Sequence, residues 1–120
     1  MTPEELKEQT KDFALRIIRL IDALSHTTTA REIGKQLLRS GTSVAANYRS
    51  ACRARTKAEF IAKMGVVIEE ADESAFWLEI ILEGKLLQHT EVESIRQEAE
   101  ELTRIMFKSR DTARKRDCRS

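Results

Sequence analysis

A chain of 120 residues that is 34% charged and 5% aromatic, with 4 Gly and 1 Pro, has the composition of one all-helical domain able to bury its own core. Lys and Arg total 21 and Asp and Glu total 20, a net charge of +1, which excludes a uniformly basic nucleic-acid binder but not a locally basic one. Cys52 and Cys118 match no metal spacing and read as reduced thiols of a cytoplasmic protein, the charged opening MTPEELKEQTKD is no secretory signal, and no uncharged run reaches membrane-spanning length.

Thr-x-x-Glu heads four apolar periodicities, at Thr2–Glu5, Thr29–Glu32, Thr56–Glu59 and Thr90–Glu93. In such a box the Thr hydroxyl accepts from the backbone N–H three residues on. The Glu carboxylate accepts in return from the N–H of the Thr, so two otherwise orphaned donors are satisfied. Pro3 falls at a first helical position, where its missing N–H costs nothing. The spacing predicts helices over residues 3–24, 30–54, 57–83 and 91–113, joined by short connections that imply antiparallel packing.

In the first helix Leu6, Phe13, Ile17, Leu20 and Leu24 share a seam, widened by Ile18 and Ile21. In the second, Ile33, Leu37, Leu38, Val44, Ala45, Tyr48, Ala51 and Cys52 share a face, while Arg31, Lys35, Arg39, Arg49 and Arg53 gather on another. Its middle, Ser40-Gly41-Thr42-Ser43, weakens helix propensity and so points to close helix approach or a mild kink; it lacks the spacing of a phosphate-binding loop. Asn47, at the edge of the apolar face, is expected to make a buried hydrogen bond.

The third helix carries two seams. Phe60, Met64, Val67, Ala71, Ser74, Leu78 and Leu82 form the first; Ala62, Val66, Glu69, Glu73, Phe76 and Ile80, with Trp77 beside them, form the second. A helix in an isolated bundle needs one apolar stripe, so the second is assigned to contact with another copy of the chain. Gly84 reads as a C-terminal cap. The fourth helix places Val92, Ile95, Ala99, Leu102, Met106 and Ser109 on one seam, and the basic tail 114–120 is expected to be disordered.

Charge is segregated along the chain. Residues 49–63 hold five Lys/Arg against one Glu and residues 104–120 seven against two Asp, whereas 64–85 and 86–103 hold net charges of −5 and −4. Arg49, Arg53, Arg55 and Lys57 are the candidate nucleic-acid contacts, with Tyr48 the one aromatic residue beside them. No Glu-x-x-His pair of the kind that builds a di-metal site in a bundle occurs, and both histidines fall in connections. Glu69, Glu70, Asp72 and Glu73 form the one dense carboxylate cluster, more consistent with a solvated or ion-paired face than with a metal-dependent enzyme. The residues therefore predict no enzyme, no cofactor and no metal. They leave an oligomeric bundle that binds RNA or a nucleic-acid-processing protein through its basic surface, or a protein scaffold that binds no nucleic acid and uses Phe76, Trp77 and Ile80 or the basic face.

The stretch Ser43-Val-Ala-Ala-Asn47-Tyr48-Arg49, followed by Ala51, Arg53, Ala58-Glu59-Phe60-Ile61, Lys63, Glu70, Glu73, Trp77 and Leu78, resembles the bacterial four-helix-bundle family encoded in intervening sequences of 23S ribosomal RNA genes, also labelled S23 ribosomal protein. Ser50 and Glu69 depart from its pattern, which often has Glu and Lys at those positions. The resemblance implies an up-down antiparallel four-helix bundle assembled as a ring-like homopentamer. A similar branch, the accessory variability determinant of diversity-generating retroelements, implies binding of a reverse transcriptase and nucleic acid, with Arg49, Arg53, Arg55 and Lys57 as the carried-over contacts.

Overall fold

The computed structural model describes residues 1–117, which form four α-helices: α1 Pro3–Ala23, α2 Thr28–Cys52, α3 Lys57–Glu83 and α4 Thr90–Asp117. They make an up-down bundle 54 × 20 × 20 Å in extent. Neighbours in sequence are neighbours in space; α2–α3 and α3–α4 are the extensive interfaces and α1–α4 the slightest. One end of the rod gathers the start of α1, the α2–α3 turn and the end of α4. The other end gathers the α1–α2 and α3–α4 turns.

The caps explain where the helices start. Thr2 and Glu5 form the complete reciprocal box at α1. At α3 the Thr56 hydroxyl accepts from Glu59 N–H, and the Glu59 carboxylate accepts from Arg55 N–H. The other two boxes do not form. Thr27, not Thr29, caps α2, accepting from Ala30 N–H at 3.2 Å, so Thr28 and Thr29 enter the helix and Ala30 is fully buried. At α4 the His89 imidazole Nδ1 accepts from Glu91 N–H at 3.1 Å, while Glu93 turns to Arg96.

The α3 C-terminus is a Schellman turn: Leu86 N–H reaches Ile81 C=O and Lys85 N–H reaches Leu82 C=O. Gly84 is the cap but keeps right-handed backbone; Lys85, at φ 55°, takes the left-handed position usually given to glycine. A Cβ on Gly84 would lie 2.8 Å from Ile80 O, so glycine is needed there for space. The fourth helix runs to Asp117, beyond the expected end at 113. Arg114, Lys115 and Arg116 in its last turn suit the negative end of the helix dipole, and Lys115 pairs with Asp111 at 3.2 Å. Residues 118–120, with Cys118 and the end of the expected tail, lie outside the described residues.

The core is one cluster of inward stripes, including Phe13, Ile17, Leu37, Val44, Tyr48, Met64, Val67, Leu78, Ile95, Leu102 and Met106. Two large apolar residues expected on core stripes are not in it. Leu38 is 40% exposed and Ile18 39% exposed. Helix α2 passes between α1 and α3 at its small-residue segment. On one side a Cβ at Gly41 would lie 2.4 Å from Ile17 Cδ1. On the other, the buried hydroxyls of Ser40 and Ser74 lie 2.9 Å apart, each also within reach of a carbonyl of its own helix, Leu37 or Glu70. Close approach accounts for this stretch, and the hydroxyl pair satisfies both groups across α2–α3.

Two stability changes follow. Replacing a helical Gly gains up to about 1 kcal/mol of propensity, but branched carbons forced against fully buried Ile17 cost more. Gly41→Val should therefore lower the unfolding free energy by about 2 kcal/mol in chemical denaturation, and an unchanged value would contradict the contact. Lys85→Gly relieves the left-handed backbone and should raise the unfolding free energy by about 0.5–1 kcal/mol; a loss would show that the turn is not left-handed there.

Candidate nucleic-acid interface

Antiparallel topology brings the two basic segments to the same end of the rod. Arg49 is exposed on the last turn of α2, Arg53 and Arg55 are exposed in the turn that follows, and Lys57 is half-buried at the start of α3. Arg104, Lys108, Arg110, Arg114, Lys115 and Arg116 occupy the second half of α4, with Lys108 and Arg116 lining a surface cleft shared with Met1, Leu6 and Phe60. Arg49 also lines a cleft between α1 and α2 with Lys7 and Lys11.

Among the described residues, three arginines elsewhere in the rod are held by carboxylates, although Arg19 and Arg31 near the α1–α2 turn are not. Arg39 on α2 binds both Glu70 at 3.0 Å and Glu73 of α3. Arg16 on α1 binds Glu91 at 2.7 Å and Ser94 at 2.9 Å on α4. Arg96 lies between Glu93 and Glu100 on its own helix, at 2.5 and 2.6 Å. The hydrogen bond from Arg96 holds Glu93 below the usual carboxylate range, while those carboxylates raise Arg96; Glu73 and then Glu70 raise Arg39. Among the described residues, Arg49, Arg53, Arg55, Arg104, Lys108, Arg110 and Arg114 have no carboxylate within ion-pair distance.

The outer face of α3 lies opposite its core stripe. Along it, Val66 is 42% and Phe76 49% exposed, Ala62 and Glu69 are exposed, and Ile80 is half-buried. Phe76 packs edge-on against half-buried Trp77, ring centres 5.0 Å apart, and the Trp77 indole N–H has no hydrogen-bond partner. Glu73 departs from the reading that sent it to a neighbouring copy, because Arg39 of the same chain takes it. The carboxylate cluster is likewise divided: Glu70 and Glu73 turn to Arg39 and Glu69 faces outward. No group of three or more metal-ligating side chains forms among the described residues.

Tyr48 is 3% exposed and belongs to the core, so it is unavailable for base stacking; burial, and then the adjoining Cys52 thiol, push its phenol above its ordinary value. Asn47 is half-buried and donates to Ser43 C=O at 2.9 Å, within its own helix. Ser50 Oγ receives Lys63 Nζ at 2.5 Å across α2–α3, whereas Glu69 is exposed on the far face of α3, so the two departures from the family pattern are not joined within one chain.

The aromatic residue that sequence reasoning passed over is Phe107. It is 54% exposed, on α4 amid the second basic segment, with the Arg110 guanidinium 4.9 Å from its ring centre. The signal was present as a Phe among Arg104, Lys108 and Arg110, but only the fold tells that it faces outward while its neighbour Met106 faces the core.

No helix among the described residues is long and apolar enough to cross a membrane. No curated protein matches the chain significantly. It is similar to a protein of unknown function from the S23 ribosomal protein family of Bacteroides thetaiotaomicron VPI-5482, with 32% identity and a TM-score of 0.84 over 92% of this chain and 99% of that one. The profile of the 23S rRNA-intervening sequence protein family matches residues 4–108. With the bundle topology and nearly its whole length accounted for, the chain belongs to the 23S rRNA-intervening sequence protein family.

Proposed function

We propose that this protein is a non-enzymatic, cytoplasmic homo-oligomer that binds RNA through the basic end of the rod. The observation that carries the reading is the gathering of unpaired cations at one end of the rod. Arg16, Arg39 and Arg96 are held by glutamates, whereas Arg49, Arg53 and Arg55 stand together without a carboxylate partner among the described residues, near the unpaired Arg104, Lys108, Arg110 and Arg114, and remain available to phosphates.

The occupant proposed for the outer face of α3 is the α1–α2 groove of a second copy. Toward the α1–α2 turn that groove exposes Leu38 and is lined by Arg31 and Lys35, with one acid, Asp22, along a cleft of about 280 Å³ that does not include Arg49. The α3 face offers apolar Val66, Phe76 and Ile80 beside Glu69 and Asp72, so apolar surface meets apolar surface and acid meets base. Pairing α3 with α3 about a two-fold axis would instead set acid against acid. A contact between two different faces of identical chains propagates, and closes into a ring when the rotation permits; the homopentamer implied by the family resemblance is one such closure.

The triple variant Arg49→Ala/Arg53→Ala/Arg55→Ala should bind structured RNA more weakly and lower the slope of log K against log salt by about 3, with its helical circular dichroism unchanged. An unchanged slope rules out these arginines as phosphate contacts, and a wild-type oligomer that binds no RNA leaves the protein-scaffold reading. Phe76→Glu, at a site exposed in the single chain, should convert the oligomer to folded monomer in native mass spectrometry. An unaltered mass would remove this face from the interface, and a monomeric wild type would refute the assembly.

A further inference from the structure

Two phenylalanines stand largely in water, and their surroundings assign them different partners. Phe76 is braced by Trp77 in a segment that also carries Glu69, Asp72, Glu73 and Glu79, a field that repels a phosphate backbone. Phe107 is more exposed, at 54%, and stands among cations. Arg104 and Arg110 are three residues to either side and Arg114 seven residues on, so all three share its flank of the helix. The nearest acid in sequence, Asp111, is already paired with Lys115 at 3.2 Å.

Arg110 is held in a particular way. Its guanidinium packs over the Phe107 ring at 4.9 Å. Its Nε is buried without a hydrogen-bond partner. Beside it α3 presents Gly65, where an added Cβ would lie 3.6 Å from Arg110 Nη1. The guanidinium is thus positioned by stacking and by a flat patch of α3, with no carboxylate holding it. The guanidinium covers one face of the ring and backs it, leaving the other face of Phe107 toward solvent, with Arg104 and Arg114 spaced along α4 on either side of it.

From this arrangement we propose that Phe107 and Arg110 form a base-stacking platform, and that the RNA engaged at this end of the rod includes an unpaired strand. A base lies on the free face of Phe107, backed by Arg110 on the other, while Arg104 and Arg114 take the flanking phosphates. Duplex RNA, whose bases are already stacked and enclosed, gains nothing from the ring. The proposal rests on the RNA-binding reading above and adds to it the class of RNA and the element that selects it.

The test compares a 12-nucleotide oligouridylate with a 12-base-pair RNA duplex by fluorescence anisotropy on the full chain at one fixed salt concentration. Phe107→Ala should weaken the single strand about tenfold and leave the duplex within twofold. Phe107→Trp should restore single-strand binding. Phe107→Leu, which keeps apolar bulk without a π face, should not. The native mass of each variant should equal that of the wild type. Equal single-strand affinity for wild type and Phe107→Ala, or equal loss for single strand and duplex, overturns the platform while leaving the RNA-binding reading intact. Dissociation of the Phe107→Ala oligomer also overturns it, since the ring would then serve assembly. A wild type that binds neither RNA overturns both readings together.

Discussion

The bundle depends on how closely α2 can approach its two neighbours. At Gly41 the absence of a side chain admits fully buried Ile17 from α1, and one residue earlier Ser40 meets Ser74 of α3. Larger residues at either position would push a neighbour away and open the core around Leu37 and Val44. Small residues here weaken the helix locally, at up to about 1 kcal/mol for the glycine, but the stripes they bring together bury several large apolar side chains, each stabilising by about 1.5–3 kcal/mol. The packing term decides the outcome, and α2 remains helical through a segment of poor propensity.

That crossing also settles what α3 does with its surface. With α2 on one flank and α4 on the other, the inward stripe Met64–Val67–Ala71–Leu78 is fully used and the opposite face is left outside. Its polar members are partly satisfied, since Glu73 shares Arg39 with Glu70. Val66 and Phe76 have no such recourse, and the unpartnered Trp77 indole N–H lies at the same place. Exposed ion pairs contribute little individually, roughly 0–1 kcal/mol, so Arg39 orients α3 against α2 more than it stabilises the pair.

Much of this was legible in the sequence because helical periodicity is a local property. The inward seams of α1, α3 and α4 follow from spacing alone, and so do the second seam of α3 and the caps at Thr2 and Thr56. What was not legible depends on competition or on neighbours. In the run Thr27-Thr28-Thr29 any hydroxyl can cap, and the earliest prevails because Ala30 is then carried into the core. Thr90 yields to His89, whose imidazole accepts from the orphaned Glu91 N–H, while Arg96 engages the Glu93 carboxylate that the box would need. Leu38 shares a face with Leu37 to within one residue, and only the position of α1 decides that one is buried and the other rims a groove. At the candidate site, the basic residues could be named from sequence but not their freedom from carboxylates, which depends on where α3 and α4 place their glutamates.

A net charge near zero at first argues against an RNA-binding surface. The objection loses force once charge is followed along the rod, because antiparallel helices superpose segments distant in sequence. The positive end of α2 and the positive half of α4 coincide, sharing that end with Glu4, Glu5 and Glu8 at the start of α1, and the acidic halves of α3 and α4 coincide at the opposite end. Screening over about 8–10 Å at physiological salt then makes the two ends of a 54 Å rod electrostatically independent. In the proposed ring, with rods side by side and a head-to-tail contact between α3 and the α1–α2 groove, every basic end lies on the same rim. The acidic flank of each α3 is at the same time turned toward lysines and arginines of its neighbour. Assembly would therefore neutralise the charge that opposes phosphate and repeat the charge that attracts it, and binding several phosphates at once from one rim strengthens contacts that are individually weak.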